Sequence, residues 1–425
     1  MKPFKKLLNN SLVKSTGIYT ITKVINSSIP FFLLPVMTTF LTPVDYGVIS
    51  MITTVVAFVT PFVTLNLDSA IVRRYYYKDN SISSYIGTCV YIIAVLCLIV
   101  TIILALLGFR LGKFIQVPEF VIYLIPIYCV FLFYKTIVLY NWQVKGEPVK
   151  YGVLSILSTL VEVTVAIVLI VYFGFNWQGR AISLLFTAFI MAFFSICYLY
   201  KKGMIKMHFN REFANHAIIF GTGLIPHALG ASMMVLANRF FITNMVSIEE
   251  TGLYGVATSL ASILSFVTLS FNNAYCPWLF ERLSKKELKV NRQVVKVTYV
   301  YLVFLILLGA LAFFFISLIF PFFVNQSFNA ALKYIPWLLL GCVFQGGYFM
   351  MTNYILYSEK TIYNGIVTII SGLISLLLNF VLIRQYGAVG AAMAFSATYL
   401  IYFMITWTVA NYVYKMPWNL LRKSM

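Results

Sequence analysis

Lys23, Asp68, Lys135, Glu162, Arg180, His227, Arg239, Lys296 and Lys333 interrupt stretches that are otherwise apolar. A charge at bilayer depth costs about 2.5–3.5 kcal/mol on insertion scales, so each is a candidate for gripping an ion, relaying a proton or holding a charged solute. Lys296, Lys333 and Arg180 lie within about a turn of the ends of their runs, where a long stem reaches water. Lys135 and Glu162 stand 13 and 14 residues either side of Pro148. On antiparallel helices rising about 1.5 Å per residue, both would sit about 20 Å from the link, close enough to pair. Two readings stand: a structural ion pair joining two helices, or a pair linked to protons or substrate. Asp68, five residues before Arg73, suits a local salt bridge or a coupling-ion site. His227 follows Pro226, whose ring frees a backbone carbonyl; a hydrogen-bonded core histidine is the first reading and a proton relay the second.

The elements that carry these residues follow from composition. Hydrophobic residues make up 61% of the chain and charged residues 10%, with a mean hydropathy of +0.91. A soluble domain holds about 45–50% and about 25%, so a water-soluble fold is excluded. One helical crossing takes about 20 apolar residues, and the 425 residues divide into twelve runs: 16–40, 46–66, 84–107, 120–144, 151–173, 179–200, 216–243, 252–280, 293–319, 332–357, 362–383 and 389–412. The expected fold is therefore all-α and polytopic. The basic start of the chain imitates a signal peptide, but its apolar run is long, carries Lys23 and lacks a small-residue cleavage site, so it reads as a retained first span.

The formal net charge is +19, yet the basic residues fall in the gaps between runs, which is membrane topology and not a nucleic-acid footprint. Gaps on the side of the termini hold Lys2, Lys5, Lys6, Lys14, Arg73, Arg74, Lys78, Lys145, Lys150, Lys201, Lys202, Lys206, Arg211, Arg282, Lys285, Lys286, Lys289, Arg292, Lys360, Lys415, Arg422 and Lys423. The opposite gaps hold Arg110, Lys113 and Arg384. Both termini are expected in the cytoplasm. Cys89, Cys97, Cys129, Cys197, Cys276 and Cys342 all fall in apolar runs with no ligand spacing, so neither disulfide nor metal is read from them.

An internal repeat is visible at an offset of about 208 to 212 residues. Tyr46-Gly47-Val48 matches Tyr254-Gly255-Val256, the Asn141-to-Glu147 stretch matches Asn353-to-Glu359, and Gly179-Arg180-Ala181 matches Gly390-Ala391-Ala392. Six spans separate the copies, so they are parallel repeats, and two six-span lobes are expected at 1–207 and 208–425. Transporters built in this way bind between their halves and alternate access.

Leu33-Leu34-Pro35 through Leu41-Thr42-Pro43-Val44-Asp45-Tyr46-Gly47, then Asp68 through Tyr76, and above all Leu378-Asn379 through Tyr386-Gly387-Ala388-Val389-Gly390-Ala391-Ala392, resemble the Wzx polysaccharide flippases of the multidrug/oligosaccharidyl-lipid/polysaccharide (MOP) exporter superfamily. The resemblance runs over nearly the whole chain. It implies a MATE-like pair of six-helix lobes around a central cavity lined by spans one, two, seven and eight. It also implies movement of undecaprenyl-diphosphate-linked sugar repeat units from the cytoplasmic to the periplasmic leaflet, for O-antigen, capsule or exopolysaccharide. Under it, Lys23 and Arg239 face the cavity as cations for the diphosphate, and Arg73 and Arg74 receive it on entry or serve as ordinary topology-setting residues. Asn272 and Asn273 can bond sugar hydroxyls or a neighbouring helix. Asp45 suits a helix cap, and Gly387 and Gly390 suit a turn and close packing.

The competing reading is an ion-coupled drug or cation antiporter of the MATE branch, which should carry more buried carboxylates. A lipid II flippase usually exceeds twelve spans. A membrane glycosyltransferase would need paired carboxylates in a sizeable loop, and no G-x-x-x-x-G-K stretch suggests ATP hydrolysis. The chain is thus expected to be a transporter and not an enzyme, without cofactor, in the bacterial inner membrane. Its expected partners are the lipid-linked oligosaccharide, the bilayer, an ion gradient and the polymerase machinery that uses the product.

Overall fold

The computed structural model describes residues 11–77, 81–285 and 287–419. Lys2, Lys5, Lys6, Lys78, Lys286, Arg422 and Lys423, used above for orientation, lie outside the described residues. Among the described residues every regular element is a helix. They are α1 (Ser11–Phe40), α2 (Pro43–Thr64), α3 (Leu67–Tyr75), α4 (Ile82–Ile115), α5 (Glu119–Val144), α6 (Pro148–Ile167), α7 (Trp177–Lys201), α8 (Arg211–Met245), α9 (Ile248–Ser284), α10 (Leu288–Phe323), α11 (Ile335–Tyr357), α12 (Thr361–Tyr386) and α13 (Val389–Val413). A π-helical turn, Val168–Tyr172, ends α6, and a 3-10 segment, Gln326–Tyr334, leads into α11. Among the described residues, twelve stretches are long and apolar enough to cross a bilayer. The short α3 is the helix outside that set.

Local chemistry explains where these helices start and stop. Thr42 caps α2: its hydroxyl accepts from the Asp45 amide at 3.2 Å, and Asp45 Oδ2 accepts from the Thr42 amide at 3.1 Å. This is a reciprocal capping box, so Asp45 is the third-residue partner of the cap, in the first turn, and not the cap itself. The other oxygen of Asp45 accepts the Trp177 amide at 3.4 Å, at the start of α7. Leu65 and Asn66, with φ of 48° and 49°, take left-handed conformations that stop α2 and start α3. Gly387, at φ 61°, turns the chain between α12 and α13, and a Cβ on Gly390 would lie 2.1 Å from the Leu382 carbonyl oxygen.

The chain forms two compact units, Met1–Ala228 and Leu229–Met425, with the division inside α8. In the first, α1 packs on α6 through small and polar residues: a Cβ on Gly152 would lie 2.7 Å from the Thr22 hydroxyl, and Asn26 Nδ2 donates to Ser155 Oγ at 2.5 Å. Its main core gathers Leu67, Ile71, Tyr85, Ile86, Ile137, Trp142 and Leu199 with Ala214 and Ala217 of α8. In the second unit, α11 lies against α13 across Gly341 and Gly347, where added carbons would strike Phe395 and Phe403. Tyr348 and Tyr402 stack there at 4.0 Å between ring centres. Small residues that let helices approach replace the missing hydrophobic drive in lipid.

Asp45→Ala removes the carboxylate half of this cap and the Trp177 contact, leaving the Asp45 amide on the Thr42 hydroxyl. It should lower the stability of the detergent-solubilised protein by about 1–2 kcal/mol, read as a lower thermal midpoint, with Asp45→Asn intermediate.

Candidate functional site

The break at Leu65 and Asn66 sends α3 off as a short separate helix, and α8 closes against it through Gly221. A Cβ there would lie 2.1 Å from the Leu65 carbonyl oxygen and 3.2 Å from Leu65 Cγ. That approach brings Phe213, His216 and Phe220, spaced three and four residues apart on one side of α8, beside the end of α3 and the start of α4. Arg74 is half-buried and held from several directions. Its Nη2 donates to Ser81 Oγ at 2.8 Å, and its guanidinium lies 4.9, 5.7 and 5.0 Å from the ring centres of Tyr77, Tyr85 and Phe213. Arg73, one residue earlier, is exposed and lies over the Phe220 ring at 5.2 Å. His216 stacks on that ring, with 6.4 Å between centres and planes within 8°, and its Nδ1 shares a 2.9 Å hydrogen bond with the Tyr85 hydroxyl. The product is a cationic patch on an aromatic bed, with one guanidinium latched and the next presented outward. Such a surface suits a phosphate, whose oxygens take charge-assisted hydrogen bonds from arginine.

Asp68 makes no ion pair with Arg73 among the described residues, contrary to the local salt bridge considered above. Five residues at about 100° each put the two side chains about 140° apart around a helix. Burial raises the pKa of the Asp68 carboxyl above its ordinary value, an effect that the neighbouring backbone partly offsets.

Lys135 and Glu162 are not paired with each other. Glu162 Oε1 accepts from Arg180 Nη2 of α7 at 2.6 Å, and Lys135 Nζ donates to Ser158 Oγ at 3.1 Å. Depth has to be counted from the helix ends. Lys135 is nine residues in from Val144 and Ser158 is ten in from Pro148, so they share a level that Glu162 overshoots by one turn. Arg180, expected to reach water, is drawn to the carboxylate. Lys333 likewise pairs with Glu250 at 2.8 Å, and the Tyr334 hydroxyl donates to the same carboxylate.

Asn272 accepts from Asn353 Nδ2 of α11 at 2.8 Å, so its carbonyl serves helix packing, whereas Asn273 is exposed. His227 is exposed, like Pro226 before it, and is not a core histidine, whereas Gly221 and Gly230 of the same helix are buried. Lys23 is exposed on α1, next to the buried Thr22, and Arg239 is half-buried on α8. A cleft of about 260 Å³ among α2, α5 and α7 is walled by Ile52, Val56, Leu124, Ile125, Ile182 and Leu185, and its apolar lining offers a sugar almost nothing to bond. Among the described residues no three His, Cys, Asp or Glu side chains gather as for a metal.

The site thus includes residues that sequence reading passed over: Tyr85, Phe213, His216 and Phe220. The signal was the aromatic spacing on α8, hidden because the seventh apolar run was begun at His216, a full turn late.

The family profile described as "Polysaccharide biosynthesis protein" matches residues 12–283. The chain belongs to that family. Relatives of the polysaccharide biosynthesis family member described here include an uncharacterized membrane protein of Haemophilus influenzae, 24% identical over 361 residues that cover 83% of this chain and 85% of the relative. The lipid III flippase of Escherichia coli K12 is 26% identical over 242 residues, covering 54% of this chain and 56% of its own. Among solved structures, the lipid II flippase MurJ in an inward closed conformation superposes with a TM-score of 0.74 at 14% identity, covering 93% of this chain and 87% of MurJ. A multidrug resistance MATE family transporter of the MOP superfamily gives 0.60 at 14% identity, covering 93% and 94%. The fold is that of the MOP transporters, and the polysaccharide branch read from the motifs is the family that the profile identifies.

Two outcomes test these assignments. Glu162→Ala and Arg180→Ala should each lower the thermal midpoint, and the double variant should fall short of the sum by on the order of 1–3 kcal/mol, the mark of a coupled pair. For Asp68, a raised pKa means that the folded state favours the neutral acid. Its ionisation therefore costs stability as pH climbs out of the usual carboxylate range and through the raised value. Asp68→Asn should match the parent at about pH 4, exceed it in stability at about pH 8, and show a flatter slope between.

Proposed function

We propose that this protein is a flippase that carries undecaprenyl-diphosphate-linked oligosaccharide repeat units from the cytoplasmic to the periplasmic leaflet of the bacterial inner membrane by alternating access. The family match over residues 12–283 carries this reading. The lipid III flippase among the relatives supports a lipid-linked cargo, and the lipid II flippase MurJ shares the fold. O-antigen, capsule or exopolysaccharide assembly is the pathway proposed. An ion gradient, or consumption of the product by a polymerase, supplies the direction.

In this reading the exposed guanidinium of Arg73 meets the diphosphate at the cytoplasmic end of the second span, the side assigned by the excess of basic residues there. Lys23 and Arg239 are the proposed cations for the same group during transfer. Arg74 supports its neighbour from a latched position, and Asn273 offers an exposed amide to the sugar. A MATE-type antiporter would share the fold, but the cationic patch at Arg73 favours an anionic head group over a drug cation.

Deletion of the gene should leave lipid-linked repeat units in the cytoplasmic leaflet and strip the surface glycan. A plasmid copy should restore it, whereas Arg73→Ala, or Lys23→Gln combined with Arg239→Gln, should not, at unchanged protein level. Normal surface polysaccharide in the deletion strain, with no second transporter to cover for it, would falsify the assignment.

A further inference from the structure

Adjacent arginines at the end of one short helix would ordinarily be given the same task. Here their surroundings differ. Arg74 is enclosed by three rings and Ser81, while Arg73 is exposed and lies over a single ring, that of Phe220 at 5.2 Å. Phe220 is itself held from below. His216 stacks on it one turn earlier on α8, and the His216 ring is tied to the Tyr85 hydroxyl and packed edge-on against Tyr77 at 6.4 Å. The next residue, Gly221, is seated on the Leu65 carbonyl, where no side chain fits. α8 thus makes its close approach to the residues leading into α3 right beside this ring, and the His216–Tyr85 bond joins it to α4 one turn away.

We propose that Phe220 is a positioning residue for Arg73: its ring, clamped between the Gly221 seat and the His216–Tyr85 pair, aims the Arg73 guanidinium outward to receive the diphosphate. The proposal rests on the reading of Arg73 as a phosphate contact. A free arginine on a surface helix samples many rotamers, and ordering it at the moment of binding costs affinity. A guanidinium already laid over an aromatic face has lost that freedom beforehand, and the ring leaves its edge N–H groups open to oxygens. Phe220 never touches the ligand in this account.

The test uses the full-length protein in phosphatidylcholine nanodiscs with farnesyl diphosphate as the probe. Phe220→Leu should weaken binding by about twofold to thirtyfold, the span expected for one cation–π contact. Phe220→Tyr, which keeps the ring, should bind as the parent does. Arg73→Ala should weaken binding at least as much as Phe220→Leu, and Phe220→Leu added to Arg73→Ala should change nothing more. Thermal midpoints identify any variant that fails to fold, and Phe220→Met then takes the place of Phe220→Leu. Parental binding by Phe220→Leu alongside weak binding by Arg73→Ala overturns the positioning role and leaves the flippase reading intact. Parental binding by Arg73→Ala overturns the phosphate contact itself. A further loss on stacking the two substitutions would mean that Phe220 acts on binding without Arg73, which also overturns the proposal.

Discussion

Hydrocarbon offers no hydrogen bonds, and that constraint organises the whole molecule. Backbone amides and carbonyls must satisfy each other along helices, and polar side chains must find partners within the protein. Many hydroxyls turn back on their own helix, as Thr54 does on the Ser50 carbonyl at 2.6 Å and Thr406 on the Tyr402 carbonyl at 2.7 Å. Others join neighbours: Asn26 with Ser155, Lys135 with Ser158, Glu162 with Arg180, Asn353 with Asn272. Each links a specific level of one helix to a specific level of another. Glycines set the distance across which such links form, so polar pairing and close approach act together to fix register.

The same constraint explains how much was legible in advance. Runs of apolar residues have a length dictated by bilayer thickness, so the spans and the family motifs could be read directly. Helix ends were harder, because caps and glycine contacts decide them: α4 extends to Ile115 where Gly108 and Gly112 pack against Tyr123 and Glu119, well beyond the apolar run. The short α3 was missed entirely. It is created by left-handed Leu65 and Asn66; Asn tolerates that conformation but Leu does not advertise it as a glycine would.

Side-chain partners were the least legible. Sequence distance places Lys135 and Glu162 symmetrically about a link, but pairing depends on where each helix begins. One turn of offset was enough to hand Glu162 to Arg180 and Lys135 to a serine. The aromatic bed under Arg73 and Arg74 joins Tyr77 and Tyr85 to Phe213, His216 and Phe220 of α8, a helix far away in sequence whose close approach is made at Gly221.

The π-helical turn at the end of α6 has its own implication. Phe173 N–H reaches the Val168 carbonyl at 3.3 Å, a bond spanning five residues instead of four. A wide turn of this sort holds one residue more than an α-helix of equal height, and just beyond it Trp177 must arrive in reach of Asp45. The bulge therefore behaves as a slack loop in the thread. Family members lacking that one residue could run the helix straight through and still deliver the following span to the same anchorage.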